Sequence, residues 1–308
     1  MSLLFSWIGN IPDVAVPLAL AALGLIVSER AGVLSLGAEG IMLVGALAGI
    51  GTQLTFNNAG LALFMSMIAG ATVSILFAVM VVWLRVNQVI SGLALVFFCQ
   101  GLTGLLGTVT GWINRPVQGL QAISLGPLAH LPLVGSLFNQ NVVVYLTPLI
   151  FVAVAWYLNR TVWGLRLRSV GENPQAADAA GIAVLRIRFL AVMAGAALLG
   201  LAGGYLSVAS THMWIADMTG GRGWIAVALV IFARWSPGRA LIGALLFGGI
   251  EALIPQMAAA GISLPQYYVL CAPYLITLAV MIQVAVVQRG NDETPCALGE
   301  PYVREERR

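Results

Sequence analysis

Apolar residues in this chain run in long unbroken blocks, not in the alternating or three-to-four-residue pattern of a half-exposed strand or helix. The blocks fall at Asp13 to Ser28, Leu34 to Leu54, Gly60 to Leu84, Val89 to Thr110, Val142 to Leu158, Ile187 to Val208, Trp224 to Ala233, Ala240 to Pro255 and Tyr267 to Val287. A crossing helix needs about 20 residues, so the seventh block is short. It follows Thr219, Gly220, Gly221 and Gly223, and the expected element over 211–233 is a broken or re-entrant helix. Hydrocarbon offers the backbone no hydrogen-bond partner, and these blocks are too long for barrel strands. The expected fold is an all-α polytopic membrane protein with about nine transmembrane helices, a count that could run from about 8 to 10.

The first four blocks and the last four match in order, with the fifth as connector. SLGAEGIMLVGALAG in the first half and TGGRGWIAVALVIFA in the second are both glycine-rich approaches to an apolar helix. One crossing between two four-helix halves inverts the second relative to the first, an arrangement that puts a substrate path at the interface of the halves near the midplane. The expected organisation is one membrane domain: a first repeat over 13–110, a connector over 142–158, a second repeat over 187–287, and a cytosolic tail over 288–308.

Composition agrees: 60% of the 308 residues are hydrophobic and 9% charged, against about 25% charged in soluble domains. All fifteen basic residues are arginine, and they sit in the connections, which reads as membrane topology and excludes a nucleic-acid role as the reason for the positive charge. With the N-terminus outside, Arg115 and Arg222 alone fall outside; the other thirteen, including Arg30, Arg85, Arg239 and those of Asn159 to Arg186, fall inside. That bias fixes the expected orientation, with the C-terminus cytosolic. The N-terminus shows no basic stretch and cleavage site, so no removable signal is expected. The three cysteines give no disulfide framework and are taken as packing residues.

Polar groups inside the blocks are few: Glu39, Ser66, Thr72, Ser74, Ser91, Gln100, Thr103, Thr108, Ser207, Glu251 and Thr277. A carboxylate at bilayer depth costs at least about 2.5 kcal/mol, so Glu39 and Glu251 must face protein or water. Glu39 stands one turn into its block, where it either touches substrate or caps nearby amides; Glu251 stands at a solvated outer rim or touches substrate. Ser91 and Gln100 are the better pore candidates of the fourth block. The loop THMWIADMTGGRG adds Trp214 and Asp217, beside a half-helix whose free amides would point toward the midplane. His212 has no second ligand at useful spacing, so no metal site is expected.

Thr161 to Arg188 is the one long polar stretch on the inner side. Asn173 followed by Pro174 reads as N-cap and first helical position, and Gly181 as the residue that ends a short helix over Pro174 to Ala180. Ala176, Ala177, Ala179 and Ala180 give that helix small faces. The helix, Ala177 included, is expected to face solvent in the isolated subunit, where a second protein could approach closely.

GLRLRSVGENPQAADAAGI resembles the cytoplasmic coupling motif of ABC importer permeases of the branched-chain amino acid, ribose and simple-sugar superfamily. Gly164, Arg168, Gly171, Asn173, Ala176, Ala177, Gly181 and Ile182 stand at its marked positions, with Ser169 where alanine is usual. SERAGVLSLGAEGIMLVGA, VNQVISGLAL and GRGWIAVALVIFARWSPGRALIGALLFG agree in order. The resemblance covers about Val14 to Val287 and is nearest to the second, shorter permease of nucleoside and simple-sugar importers. Val96 departs from the asparagine usual there.

The resemblance implies a bacterial inner-membrane permease that moves a nucleoside, purine-like base or simple sugar inward by alternating access. It implies a cytosolic ABC ATPase, a second permease in a heterodimer and a periplasmic or lipid-anchored substrate-binding protein as partners. The ATPase would hold ATP and Mg, with no cofactor in this chain. Arg168, Gly171, Glu172, Asn173, Pro174, Ala176, Ala177, Gly181 and Ile182 would form the coupling surface.

Other classes fit less well. GxSxG and HExxH motifs are absent, and without lysine a Walker A loop cannot be built, so no catalytic role is expected. An ion-coupled secondary transporter is the alternative, and the sequence places few charges for its relay in the central parts of the blocks.

Overall fold

A computed structural model of the chain describes residues 2–124, 139–259, 261, 271–272, 274–279, 282 and 294–304. The helices follow the apolar blocks: α1 Ser2–Glu29, α2 Ala38–Phe56, α3 Ala59–Ala78, α4 Gln88–Thr110, α5 Val142–Arg160, α8 Val184–Tyr205, α9 Arg222–Ala233 and α10 Pro237–Ala259. Two short helices, α6 Val162–Glu172 and α7 Pro174–Ala179, lie between α5 and α8. Among the described residues, seven helices are long and apolar enough to span a membrane, and α9 is the short apolar one. This is a polytopic all-α membrane protein. The ninth block, Tyr267 to Val287, lies largely outside the described residues.

Helix ends follow local chemistry. Asn58, Asn87 and Asn141 each accept a hydrogen bond from an amide in the first turn of α3, α4 and α5, replacing the missing intrahelical partner. Gly111 ends α4 at φ +65°, a conformation that costs glycine nothing. Both α3 and α8 finish in a π turn, Val79–Trp83 and Leu206–Ser210. The sole ladder among the described residues is β1, Ile123–Ser124, antiparallel to β2, Asn139–Gln140.

The core forms around α1 and α8. A Cβ on Gly24 would strike the α8 backbone at Gly195, and Asp13 accepts a hydrogen bond from the Tyr205 hydroxyl, so α1 and α8 run antiparallel in close contact. Ser66 meets Gly200 and Gly204, and Gly70 meets Ala196, so α3 is antiparallel to α8 as well. On the other side, Met42 packs on Gly203 and Gly49 on Val208, which makes α2 parallel to α8. Glycine permits this spacing because dispersion and close backbone approach, not water exclusion, hold helices together in lipid. The packing has an internal exchange: α3 and α2 lie on α8 as α10 and α9 lie on α1. The spanning window of α1 is 78% buried, against 33% for α4 and 28% for α5, so those two helices are peripheral.

One end of the bundle carries Arg30, Arg85, the arginines of α6 to α8, Arg234 and Arg239. Leu34 donates to Gln88 Oε1 at 2.6 Å, Arg30 Nε to the Trp235 carbonyl at 3.2 Å, and Gly171 packs on the Arg30 backbone, which ties these connections together. The described part of the tail lies across the same end. Ala297 N–H donates to the Gly171 carbonyl at 2.9 Å, Arg188 Nη1 to the Glu300 carbonyl at 2.9 Å, and Arg304 Nε to Asp178 Oδ2 at 3.1 Å. Tyr302 is buried with Val170, Ala177 and Val184. Cys99 is buried as a packing residue, whereas Cys271 and Cys296 are exposed, contrary to the packing role expected for all three.

Gly203→Leu should separate α2 from α8, because even a Cβ there would overlap the Met42 carbonyl. Overpacking of this kind costs about 1 to 3 kcal/mol or more. The expected result is a lowered melting temperature of the purified chain in detergent, with Gly101→Leu, where a Cβ meets nothing within 4 Å, unchanged.

Candidate functional site

The two glycine-rich approaches meet inside the bundle. Residues 33–37 run as non-helical chain from the arginine-rich end, so α2 starts well inside it. Gly40 faces Val96 and Cys99 of α4, about 12 to 17 Å along a helix that began at Gln88. From the opposite end the loop 211–221 descends along α4 and α9 begins at Arg222. Glu39, 8% exposed, joins the two: Oε1 accepts from the Thr219 hydroxyl at 2.6 Å and the Gly221 amide at 2.8 Å, and Oε2 from the Gly223 amide at 2.6 Å. A carboxylate is acceptor-only, and the first turn of a helix is donor-only with partial positive charge, so each supplies what the other lacks. The capping alternative holds for Glu39, with the amides of α9, 182 residues away, in place of neighbouring ones.

Arg222, the first residue of α9, pairs with Glu251 of α10. Arg222, which the sequence put in an outer loop, is the first residue of α9, and Glu251, which it put at a solvated rim or against substrate, has a side chain 15% exposed against that guanidinium. The reason is the depth of the α9 start, at which an unpaired charge of either sign would be costly. The middle of the bundle therefore holds more charge than expected.

The other candidates divide. Gln100, halfway along α4, donates from Nε2 to Asp217 Oδ1 at 2.8 Å, and both residues are exposed. Ser91 is on the opposite, buried side of α4, 1% exposed, with no partner for its Oγ among the described residues. Trp214 is fully buried, wedged against Gly107 and packed on Ala46, Leu47 and Ile50. Ser66, Thr72, Ser74, Thr103 and Thr108 bond carbonyls of their own helices, and Ser207 reaches the Ala46 carbonyl of α2. The sequence did not single out the cluster in which Asp13 accepts from Tyr205, Asn141 and Ser210. Asp13 and Ser210 stand at block edges, so only their meeting in space marks them.

At the arginine-rich end, Asn173 Oδ1 accepts from Ala176 N–H at 2.9 Å, Pro174 is the first helical residue, and Gly181 leaves α7 at φ +79°. Glu172, Gln175, Ala176, Ala179, Ala180 and Gly181 are exposed. Ala177 is not: it is 3% exposed and packs on Val170, Val184 and Tyr302. The expectation that Ala177 faces solvent is overturned, because the described tail and the start of α8 close over that side of α7. Gly164 and Gly171 are also inward, the first against Tyr157 and Leu158, the second against Arg30. Ile182 is partly buried beside the same cluster.

A family profile described as "Branched-chain amino acid transport system / permease component" matches residues 8–285. The chain belongs to this family. Members similar to this permease-family chain include a putative glucose ABC transporter permease of Haloferax volcanii, 39% identical over 94% of this chain and 95% of the relative. The guanosine ABC transporter permease NupQ of Bacillus subtilis is 33% identical over 95% of each chain. The nucleoside ABC transporter permease NupC of Lactococcus lactis is 32% identical over 96% of each. No solved structure matches. The family match includes the Glu39 joint and α7 and ends before the docked tail at 294–304.

Glu39→Ala in this permease-family chain would leave a hydroxyl and two amides buried without an acceptor. Each such group costs about 1 to 3 kcal/mol. The purified Glu39→Ala protein should melt several degrees below the parent. Glu39→Gln should fall between the two, since its amide nitrogen faces donors; an unchanged melting curve for both would remove the joint from the stability of the fold.

Proposed function

We propose that this chain is the membrane-spanning permease subunit of an ATP-driven importer, seated in a cytoplasmic membrane with its N-terminus outside and its arginine-rich end in the cytosol. Its cargo is a nucleoside, a purine-like base or a simple sugar, as the names of the relatives suggest. A separate ATPase hydrolyses ATP, a second permease completes the pathway, and a substrate-binding protein delivers solute. The chain itself is not an enzyme on this reading.

The observation that carries the reading is the outward side of α4. Phe97 and Val109 are 70% and 75% exposed there, Gly101 and Gly104 have open space over them, and the Gln100–Asp217 hydrogen bond is exposed halfway down the same helix. Lipid cannot serve a carboxylate at that depth, whereas a second permease enclosing a wet path can. The polar pair then faces passing solute, and its groups suit the hydroxyls of a sugar or ribose. The internal exchange of packing partners fits two inverted repeats that rock about the Glu39 joint. The exposed side of α7 offers the ATPase a close contact, and its buried side transmits force to α6, α8 and the tail.

The Arg222–Glu251 pair favours a second reading, a secondary transporter with an intramembrane relay. Proteoliposomes holding this chain alone separate the two. No uptake with a proton or sodium gradient is expected, and uptake should require the full set of partners and ATP; gradient-driven uptake would overturn the importer reading.

Gln100→Leu should reduce uptake by the assembled importer at least about tenfold, the loss of roughly one charge-assisted hydrogen bond, with expression and melting unchanged. Normal uptake would take Gln100 out of the path. At α7 the variants should separate: Ala176→Arg should keep the melting temperature of the isolated subunit and lose solute-stimulated ATP hydrolysis. Ala177→Arg should lower the melting temperature itself by overfilling the cluster around Tyr302.

A further inference from the structure

A cavity of about 430 Å³ opens at the arginine-rich end, among the last turn of α5, the side of α6 and the turn from α9 to α10. Arg30, Arg168 and Arg239 line it together with Asn159 and Ser236. Two of the guanidiniums are held from behind. Arg30 Nε donates to the Trp235 carbonyl at 3.2 Å; Arg239 Nε donates to the Ala233 carbonyl at 2.9 Å and its Nη2 to the Arg234 carbonyl at 3.3 Å. These bonds cap the end of α9 and fix the charges in place, so little side-chain entropy remains to be lost on binding an anion. The Nε of Arg168 is buried with no hydrogen-bond partner among the described residues. Ser236 and Pro237, at the start of the 23-residue helix α10, complete the lining, which adds the positive end of a helix dipole. Behind the wall, Glu29 accepts from Trp235 Nε1 at 2.5 Å.

The depth of the cavity is marked by aromatic side chains. Trp156 and Trp163 are 63% and 61% exposed on α5 and α6, Tyr157 is half-buried between them in sequence, and the Arg166 guanidinium lies 5.2 Å over the Trp163 ring. Exposed tryptophan and tyrosine at helix ends sit at the headgroup level of a bilayer. Fixed arginines between helix ends at that level form the kind of basic pocket that takes a lipid phosphate. Planar guanidiniums match phosphate oxygens two at a time.

We propose that the cavity ringed by Arg30, Arg168 and Arg239 binds a phosphate group, supplied by the headgroup of an anionic phospholipid of the leaflet around it. The lipid fastens the coupling helices to the bundle, because Arg168 also lines the neighbouring groove under Asn173, Ala176 and Ala180.

The test uses the purified full-length chain. Native mass spectrometry and thermal melting would be run with phosphatidylglycerol, with phosphatidylcholine, and with inorganic phosphate in lipid-free detergent. Preferential retention of phosphatidylglycerol is expected, with a raised melting temperature. Arg168→Gln should weaken it about fivefold, which corresponds to about 1 kcal/mol, whereas Arg166→Gln, on the outward side of the same helix, should not. Ser236→Asp keeps a good residue ahead of α10 and places a negative charge at the cavity, so it should also weaken the preference while leaving the melting temperature without lipid unchanged. Stabilisation by inorganic phosphate that is lost in Arg168→Gln and Ser236→Asp, with no preference between the two lipids, would keep the phosphate site and overturn the lipid as its source. Equal loss in Arg166→Gln and Arg168→Gln, or retention of the preference in both Arg168→Gln and Ser236→Asp, would overturn the site.

Discussion

The joint between Glu39 and the start of α9 is the constraint on which the rest of the bundle depends. A helix that begins inside a membrane exposes amides that lipid cannot satisfy. Here three donors at Thr219, Gly221 and Gly223 converge on one carboxylate. The arrangement requires both α2 and α9 to start inside the bundle, which in turn requires the non-helical approaches on either side. Those approaches place Trp214 against Gly107 and Asp217 against Gln100. The depth of the Arg222–Glu251 pair is a consequence of the same geometry, since Arg222 is the first residue of α9.

Much of this architecture is legible from the chain. Eight of the nine apolar blocks became helices, seven of them near the expected bounds and α1 starting eleven residues before Asp13, because a membrane segment must satisfy its own backbone and the hydrophobic length is therefore written directly in the sequence. The short α7 was equally legible, since Asn173, Pro174 and Gly181 are local devices that act within one turn. What failed to show was anything set by distance along the chain. Glu39 looked like a residue near the inner surface because residues 33–37 were counted as helix. Ala177 looked exposed because its cover, Tyr302, comes 125 residues later in the chain. Ser91 and Gln100 are nine residues apart and so lie on opposite faces of a helix, but only the packing of α4 on α2 shows which face is buried.

The arginine-rich end is built as a single piece although five connections contribute to it. Carbonyls left over at the end of α9 and along the tail are taken up by Arg30, Arg239 and Arg188. Arginine suits this work because its five donors are fixed in a plane. Ala297, Tyr302 and Arg304 then pin the tail across α6 and α7. A load applied to α7 is therefore borne by backbone hydrogen bonds and a packed apolar cluster at once, not by one flexible loop.

The separation of Glu39 from its amides also orders the biogenesis of the chain. When α2 leaves the ribosome, the residues that will receive its carboxylate, 180 to 184 positions beyond Glu39, are not yet translated. Among the seven spanning helices α2 has the lowest mean hydropathy, 1.3, so on its own it is the one least able to stay in lipid. Its insertion is provisional until the second half arrives, and α1, α3 and the insertion machinery must shelter it during that interval. A nascent chain arrested before Gly221 would thus present a membrane helix with an uncompensated charge, a ready mark by which quality control can tell an unfinished molecule from a finished one.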